Sequence, residues 1–193
     1  MGETTLQAAD GRWPLAYALG VAEDLKALLA PTCERVAIAG SVRRRRETVK
    51  DIELVVIPRY QASMNLFGEG EKRTDLLSMV IDAYMNIDGI FSKRMNTAGR
   101  PIGYGPLNKY LVHVPTGLAV DIFTATPENW GMAMVVRTGP KELNVRMMQR
   151  FRELGMEGGV YWVKHVIEEI PVPDEETVFR LLQWPYVRPE ARK

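Results

Sequence analysis

The amino-acid sequence predicts an α/β (α+β) fold, with strands and helices interspersed and a smaller α/β unit at the C-terminal end. Three patterns carry that reading. IELVVI (52–57) is an unbroken, β-branched run bounded by Asp51 and Pro58, as expected of a central strand buried on both faces. KYLVHV (109–114) and LAVDIFTA (118–125) flank Pro115-Thr116-Gly117 as the arms of a hairpin. Leu15, Leu19, Ala22, Leu25 and Leu29 recur at helical spacing behind Pro14, which suits a first helical turn, and Pro31 closes that helix.

The remaining elements follow in order. Residues 1–12 are polar or small and read as a flexible lead-in. Arg35 to Ala39 alternates Val36 and Ile38 as a short strand, Gly40-Ser41 turns the chain, and four arginines (43–46) precede the central strand. Residues 59–74 are polar and glycine-bearing, which predicts a loop. Thr74 is then placed to cap a helix whose apolar face is Leu77, Val80, Ile81 and Tyr84. Ile90 to Met95 reads as a strand, and NTAGRPIGYGPLN as a long turn. Thr126-Pro127 opens a helix that Gly139-Pro140 interrupts; a second helix runs to Leu154 and ends at Gly155. Beyond Met156 lie short strands, a helix near Glu175 to Leu182 and a proline-bearing tail. The expected division is a main domain over 13–138 and a C-terminal subdomain over 139–193.

Bulk properties set bounds. The chain has 193 residues, of which 46% are hydrophobic and 25% charged, enough for a real core. Lys and Arg number 25 against 24 Asp and Glu, so overall charge does not mark a dedicated nucleic-acid binder. A single cysteine, Cys33, excludes an internal disulfide, and no Cys/His cluster suggests structural zinc. No apolar run approaches the ~18 residues that span a bilayer, so the expectation is a soluble, cytoplasmic protein with no membrane partner. His113, in an apolar strand, reads as a packed histidine rather than a ligand.

The chemistry lies in three carboxylates that interrupt apolar strands. Asp51 and Glu53 are two apart and project from one face of their strand, and Asp121 sits between Val120 and Ile122 on another. By spacing alone, the acid pair reads more readily as an exposed strand end than as a metal site. If the strands neighbour each other, however, the acids converge and need a cation. Oxygen ligands without His or Cys favour Mg²⁺. The preceding turn supplies backbone N–H groups, the Ser41 hydroxyl and guanidinium groups within ten residues, the equipment for holding a triphosphate.

GSVRRRRETVKDIELVVIP closely resembles the signature of family X DNA polymerases, within the DNA polymerase beta nucleotidyltransferase superfamily. AVDIFTATPENWGMAMVVRTGPKELN resembles the family's third-aspartate strand, following helix and TGS-x-x-x-N turn, and DEETVFRLLQWPYVRPEAR its closing helix and tail. The resemblance covers about Val36 to Lys193. It implies a nucleotidyltransferase palm with a mixed, mainly antiparallel sheet and flanking helices, plus the C-terminal subdomain. Asp51, Glu53 and Asp121 would be catalytic and would hold two Mg²⁺ ions, with Mn²⁺ able to substitute. Gly40, Ser41 and Arg44 would bind the β- and γ-phosphates; Thr138, Gly139, Lys141 and Asn144 would line the sugar and base; Arg146 and Arg150 would meet DNA. Substrates would be dNTPs, with rNTPs admitted, and a primer–template or gapped DNA.

Departures refine this expectation. Glu53 stands for an Asp, Lys50 for a Gly, Pro140 for the Ser of TGS, and Ala119 for an arginine that restrains the third acid. Val136-Arg137 replaces the aromatic pair that helps exclude ribonucleotides, so some ribonucleotide incorporation is expected. The roughly 30 residues before Val36 are too few for a lyase domain, which predicts weak DNA grip and leaves room for a partner protein supplying further DNA contacts. The implied activity is short-gap filling in repair; the alternative is template-independent transfer to nucleic-acid ends or a small acceptor.

Overall fold

The central strand and the inner positions of the predicted stripes are buried in the computed structural model, which describes residues 10–64 and 71–192, while Leu15, Leu19, Val80 and Tyr84 are half-buried. The elements are β1 (Trp13–Pro14), α1 (Leu15–Leu29), β2 (Cys33–Ile38), α2 (Gly40–Arg43), β3 (Thr48–Val49), β4 (Asp51–Pro58), β5 (Tyr60–Met64), β6 (Glu71–Asp75), α3 (Leu76–Asn86), β7 (Phe91–Lys93), β8 (Asn108–His113), β9 (Leu118–Thr124), α4 (Trp130–Thr138), α5 (Lys141–Glu153), β10 (Met156–Gly158), β11 (Val163–His165), β12 (Glu168–Glu169) and α6 (Glu175–Leu181).

Five strands form the central sheet in the order β2-β4-β9-β8-β7. Only β4 and β9 run parallel; the other neighbours are antiparallel, so the sheet is mixed and mainly antiparallel. Alternation along β4 and β9 sorts the side chains. Ile52, Leu54 and Val56 join Leu118, Val120 and Ile122 under α1 and α3. Here α1 buries Ala18, Ala22, Leu25 and Leu29, each leucine contributing about 2 kcal/mol of apolar burial. On the opposite face Val55, Ile57 and Ala125 pack on Trp130, Ala133 and Met134 of α4. The acids lie on this second face, at the end that α4 leaves open.

α4 is apolar around most of its circumference because it is covered on two sides. While one side meets the sheet, Met132 and Val135 enter a second core with Met147 and Phe151 of α5, Val163, Val172, and Val178, Phe179 and Leu182 around α6. The three-stranded β10-β11-β12 sheet completes this C-terminal unit. Among the described residues, no helix is long and apolar enough to cross a membrane.

Three expectations change. The helix expected to open at Thr126-Pro127 begins at Trp130, with Asn129 at its N-cap position. The predicted loop over 59–74 contains strands β5 and β6, paired Tyr60↔Asp75 through Met64↔Glu71, while 65–70 lie outside the described residues. EKRTD has no apolar residue, and the alternation of Tyr60, Ala62 and Met64 in YQASM is a single short period-2 run that the polar, glycine-bearing surroundings outweigh. The cap of α3 is Asp75 rather than Thr74: its carboxylate accepts from Ser78 N at 3.1 Å.

Gly131 fixes how α4 meets the C-terminal unit. Its N–H donates to Val172 O at 2.7 Å, and a Cβ there would stand 2.0 Å from the backbone oxygen of Asp174. Gly131→Ala should therefore cost about 2–3 kcal/mol through overpacking against backbone, read as a lower urea midpoint with unchanged slope.

Candidate active site

The register of the sheet assembles the acid cluster. Glu53 is the partner of Asp121 in the parallel β4–β9 pair, and Asp51 lies one step earlier on the same face, opposite Ala119. Tyr110 is opposite Asp121 in the β8–β9 pair, and Arg94, just beyond β7, donates its N–H to Tyr110 O at 2.9 Å. One lateral row thus reads Arg94, Tyr110, Asp121, Glu53.

Gly40 closes the row at the β2 side. It adopts φ +63°, and a Cβ there would lie 1.8 Å from Glu53 Oε2. The glutamate's carboxylate therefore rests against the turn, a position only glycine allows. Ser41 and Arg44 follow on and after α2. Arg44 Nη1 contacts Thr138 O, which draws the turn of α2 against the Thr138-Gly139 turn that ends α4.

Burial raises all three carboxyls. Burial, then Asp51 and Asp121, push Glu53 up to about 8, eased by Arg137 and Arg44. Burial pushes Asp121 to about 6 against the pull of Arg94. Asp51 is raised by burial and eased by Arg94 and Arg12. Two arginines bracket the cluster, each stacked on a ring from the same sheet face. Arg94 lies 5.1 Å from the Tyr110 ring with Nη2 2.9 Å from Asp121 Oδ1. Arg137 lies 3.6 Å from the Phe123 ring and donates to Tyr161 OH at 3.2 Å. The two rings meet edge to face at 6.2 Å.

The donor set, three carboxylates without His or Cys, is the chemistry of a hard divalent cation, and the buried Asp121 Oδ1 has Arg94 Nη2 as its partner at 2.9 Å. Among the described residues, no three His, Cys, Asp or Glu side chains are gathered closely enough to form a finished cage. Pairing sets the acids side by side on one sheet face.

The other predicted residues divide. Lys141 and Asn144 line a groove of about 490 Å³ on α5 with Val145, Met148, Gln149 and Arg152. Asn144 Nδ2 donates to Val136 O at 2.8 Å, tying α5 to α4. Arg146 and Arg150 project from the opposite side of α5, by helical rotation. Arg150 is engaged with Leu182 O, Glu153 and Gln183. The structure does not bring these two arginines to the Lys141–Asn144 groove.

Sequence reasoning missed Arg43, Arg94 and Glu175. Arg43 Nη1 donates to Thr138 Oγ1 and Glu175 Oε1, both at 2.8 Å, and Arg192 Nη1 donates to Glu175 Oε1 at 2.8 Å. One buried carboxylate thereby joins the glycine turn, the first residue of α6 and the C-terminal tail. The four-arginine run gave no sign that its first member faces inward. Arg94 had no signal of its own, although a hairpin centred on Pro115-Thr116 does set Tyr110 opposite Asp121. With Arg94 on Asp121, the expectation that Ala119 leaves the third acid unrestrained is corrected: the arginine arrives from another strand.

Residues 133–193 match the model of the DNA polymerase beta thumb family. Over 186 residues, 94% of this chain, the sequence is 25% identical to the DNA polymerase/3'-5' exonuclease PolX of Bacillus subtilis (strain 168). The chain is family X polymerase-like. It spans 29% of the length of that relative. The thumb match begins inside α4, so in this family X polymerase-like chain the helix that packs on the acid-bearing sheet face also enters the matched region.

The Glu175 network carries a pH signature. Burial alone would push Glu175 up, but the hydrogen bond and charge of Arg43, then those of Arg192, outweigh it and hold the carboxyl below its usual range. Its folded pKa is thus below the ordinary 4.5, so its stabilisation is fully present above that value and lost as pH falls through the folded pKa. Glu175→Gln should cost about 3 kcal/mol at pH 7 by leaving Arg43 and Arg192 without a counter-charge. In urea titrations the gap between wild type and variant should narrow as pH drops below about 4.5.

Proposed function

We propose that this chain is a DNA polymerase that transfers nucleotides from dNTPs to a 3′ hydroxyl, filling short gaps in DNA repair. The observation that supports the reading most is the parallel pairing of Glu53 with Asp121, with Asp51 on the same face and the Gly40 turn receiving Glu53. Asp51, Glu53 and Asp121 would hold Mg²⁺, as two ions, with Mn²⁺ able to substitute. The bound cations supply charge neutralisation at the triphosphate and lower the pKa of the attacking hydroxyl.

The chain's own residues would do the rest. Gly40, Ser41 and Arg44 would cradle the β- and γ-phosphates beside the acids. Thr138 and Gly139 would bound the sugar, with Lys141 and Asn144 along the base. Asp121 would orient the 3′ hydroxyl for in-line attack. As Asp121 takes its proton, the 3′ oxygen would bond to the α-phosphorus while the α–β bridge oxygen leaves with pyrophosphate. Arg146, exposed on α5, is the better placed of the two predicted DNA contacts, since Arg150 is occupied by Leu182, Glu153 and Gln183. Residues 136–137 are Val-Arg rather than an aromatic pair, and Arg137 is engaged on the Phe123 ring, which supports admission of ribonucleotides.

The test is Mg²⁺- and Mn²⁺-dependent extension of single-stranded, recessed and one-nucleotide-gapped primers. Extension opposite the matching base is expected, reduced on the order of 10³-fold by Asp121→Ala. Extension indifferent to template would make this a tailing transferase, and none on any DNA would move the acceptor to RNA ends or small molecules. In matched kinetics, kcat/KM for ribonucleotides should fall within roughly 100-fold of that for deoxyribonucleotides; rejection of about 10⁴-fold would remove that part of the reading.

A further inference from the structure

We propose that Arg94 is the positioning residue of the third carboxylate: it holds Asp121 while opposing the cation the acids would take. The proposal rests on the metal-site reading above, and the metal alone can test it.

Arg94 is fixed at both ends. Its backbone N–H donates to Tyr110 O at 2.9 Å, and its carbonyl accepts from Ile102 N at 3.0 Å. From there the side chain crosses β8, with its guanidinium 5.1 Å from the Tyr110 ring and Nη2 2.9 Å from Asp121 Oδ1. Tyr110 is braced in turn, edge to face, by Phe123, which carries Arg137 on its ring at 3.6 Å. Among the described residues, Arg94 is the only cation within ion-pair distance of Asp121. An aspartate side chain has two rotatable bonds, and the contact given for Asp121 Oδ1 is the Arg94 guanidinium at 2.9 Å. The guanidinium therefore sets where that oxygen sits.

The same contact has an electrostatic consequence of opposite sign. A divalent ion approaching Asp121 meets a guanidinium charge at contact distance from its ligand, in a site shielded from water. Only 24% of the Arg94 side chain and 11% of the Asp121 side chain is exposed, so solvent screens the repulsion weakly. Orientation and cation affinity are thus traded against each other in one residue. A merely structural arginine would support both or neither.

The experiment titrates Mn²⁺, without nucleotide or DNA, into wild type, Arg94→Ala, Arg94→Lys, Asp121→Asn and the Arg94→Ala/Asp121→Asn pair, following free Mn²⁺ by electron paramagnetic resonance. Arg94→Ala should bind Mn²⁺ about five-fold more tightly than wild type, and Asp121→Asn should abolish that gain. Arg94→Lys keeps the charge but not the fork, and should bind Mn²⁺ nearly as wild type does. In primer extension, Arg94→Ala should lose about 10–100-fold in kcat with dNTP KM within about three-fold, and Arg94→Lys should recover part of it.

Unchanged or weaker Mn²⁺ binding by Arg94→Ala overturns the proposal, as does an unchanged kcat. Should Arg94→Ala fail to fold, the lysine variant decides: wild-type Mn²⁺ affinity with reduced kcat supports the proposal, and wild-type kcat overturns it. If wild type extends no primer, the polymerase reading fails while the Mn²⁺ comparison still decides the role of Arg94. If wild type binds no Mn²⁺, both fail.

Discussion

Three carboxylates crowded onto one partly buried sheet face repel one another, and much of the surrounding structure answers that repulsion. Asp51, Glu53 and Asp121 cannot relax apart because β4 and β9 are locked by their parallel ladder and by the apolar side chains on the reverse face. Relief comes instead from guanidinium groups. Arg94 contacts Asp121 directly, and Arg137 and Arg44 ease Glu53 at longer range. Aromatic rings hold Arg94 and Arg137 from the side, so their charges stay near the cluster without the carboxylates having to grip them. The result is a poorly hydrated site in which burial favours the neutral carboxyls, Glu53 most of all, and in which a bound cation would favour their ionised forms.

A second constraint is connective. α4 is packed on the sheet by Trp130, Ala133 and Met134 and on the C-terminal core by Met132 and Val135, so neither body can settle without it. The helix ends at Thr138, where Arg43 and Arg44 arrive from the glycine turn. Glu175 then ties Arg43 to the tail through Arg192. The glycine turn, the end of α4 and the C-terminal tail are thus tied together by a few buried polar contacts, in addition to the apolar packing of α4.

Legibility in the sequence followed the strength of local periodicity. The central strand, the 118–124 strand and the helices α1 and α5 announced themselves by apolar spacing, and the acids were visible because charge inside such runs is costly unless it has work to do. Gly40 could be read as a turn, though its closeness to the Glu53 carboxylate could not. The β5–β6 ladder was missed because EKRTD carries no apolar residue and the short Tyr60, Ala62, Met64 alternation is the one local signal for it. Ala119 illustrates the limit most sharply: inspecting the strand of the third acid suggests a missing restraint, yet Arg94 provides one from two strands away.

By itself the sequence determined the elements and the face each acid occupies, because strand alternation and helical spacing are local properties of consecutive residues. It also determined, by resemblance, the kind of chemistry to look for. Only the tertiary structure decided that Glu53 stands beside Asp121, that Arg94 reaches across Tyr110, and that Arg43 rather than Arg44 meets Glu175, 132 residues away. Those pairings depend on sheet order, register and the docking of α4, which arise from the packing of whole elements and leave no spacing pattern in the chain.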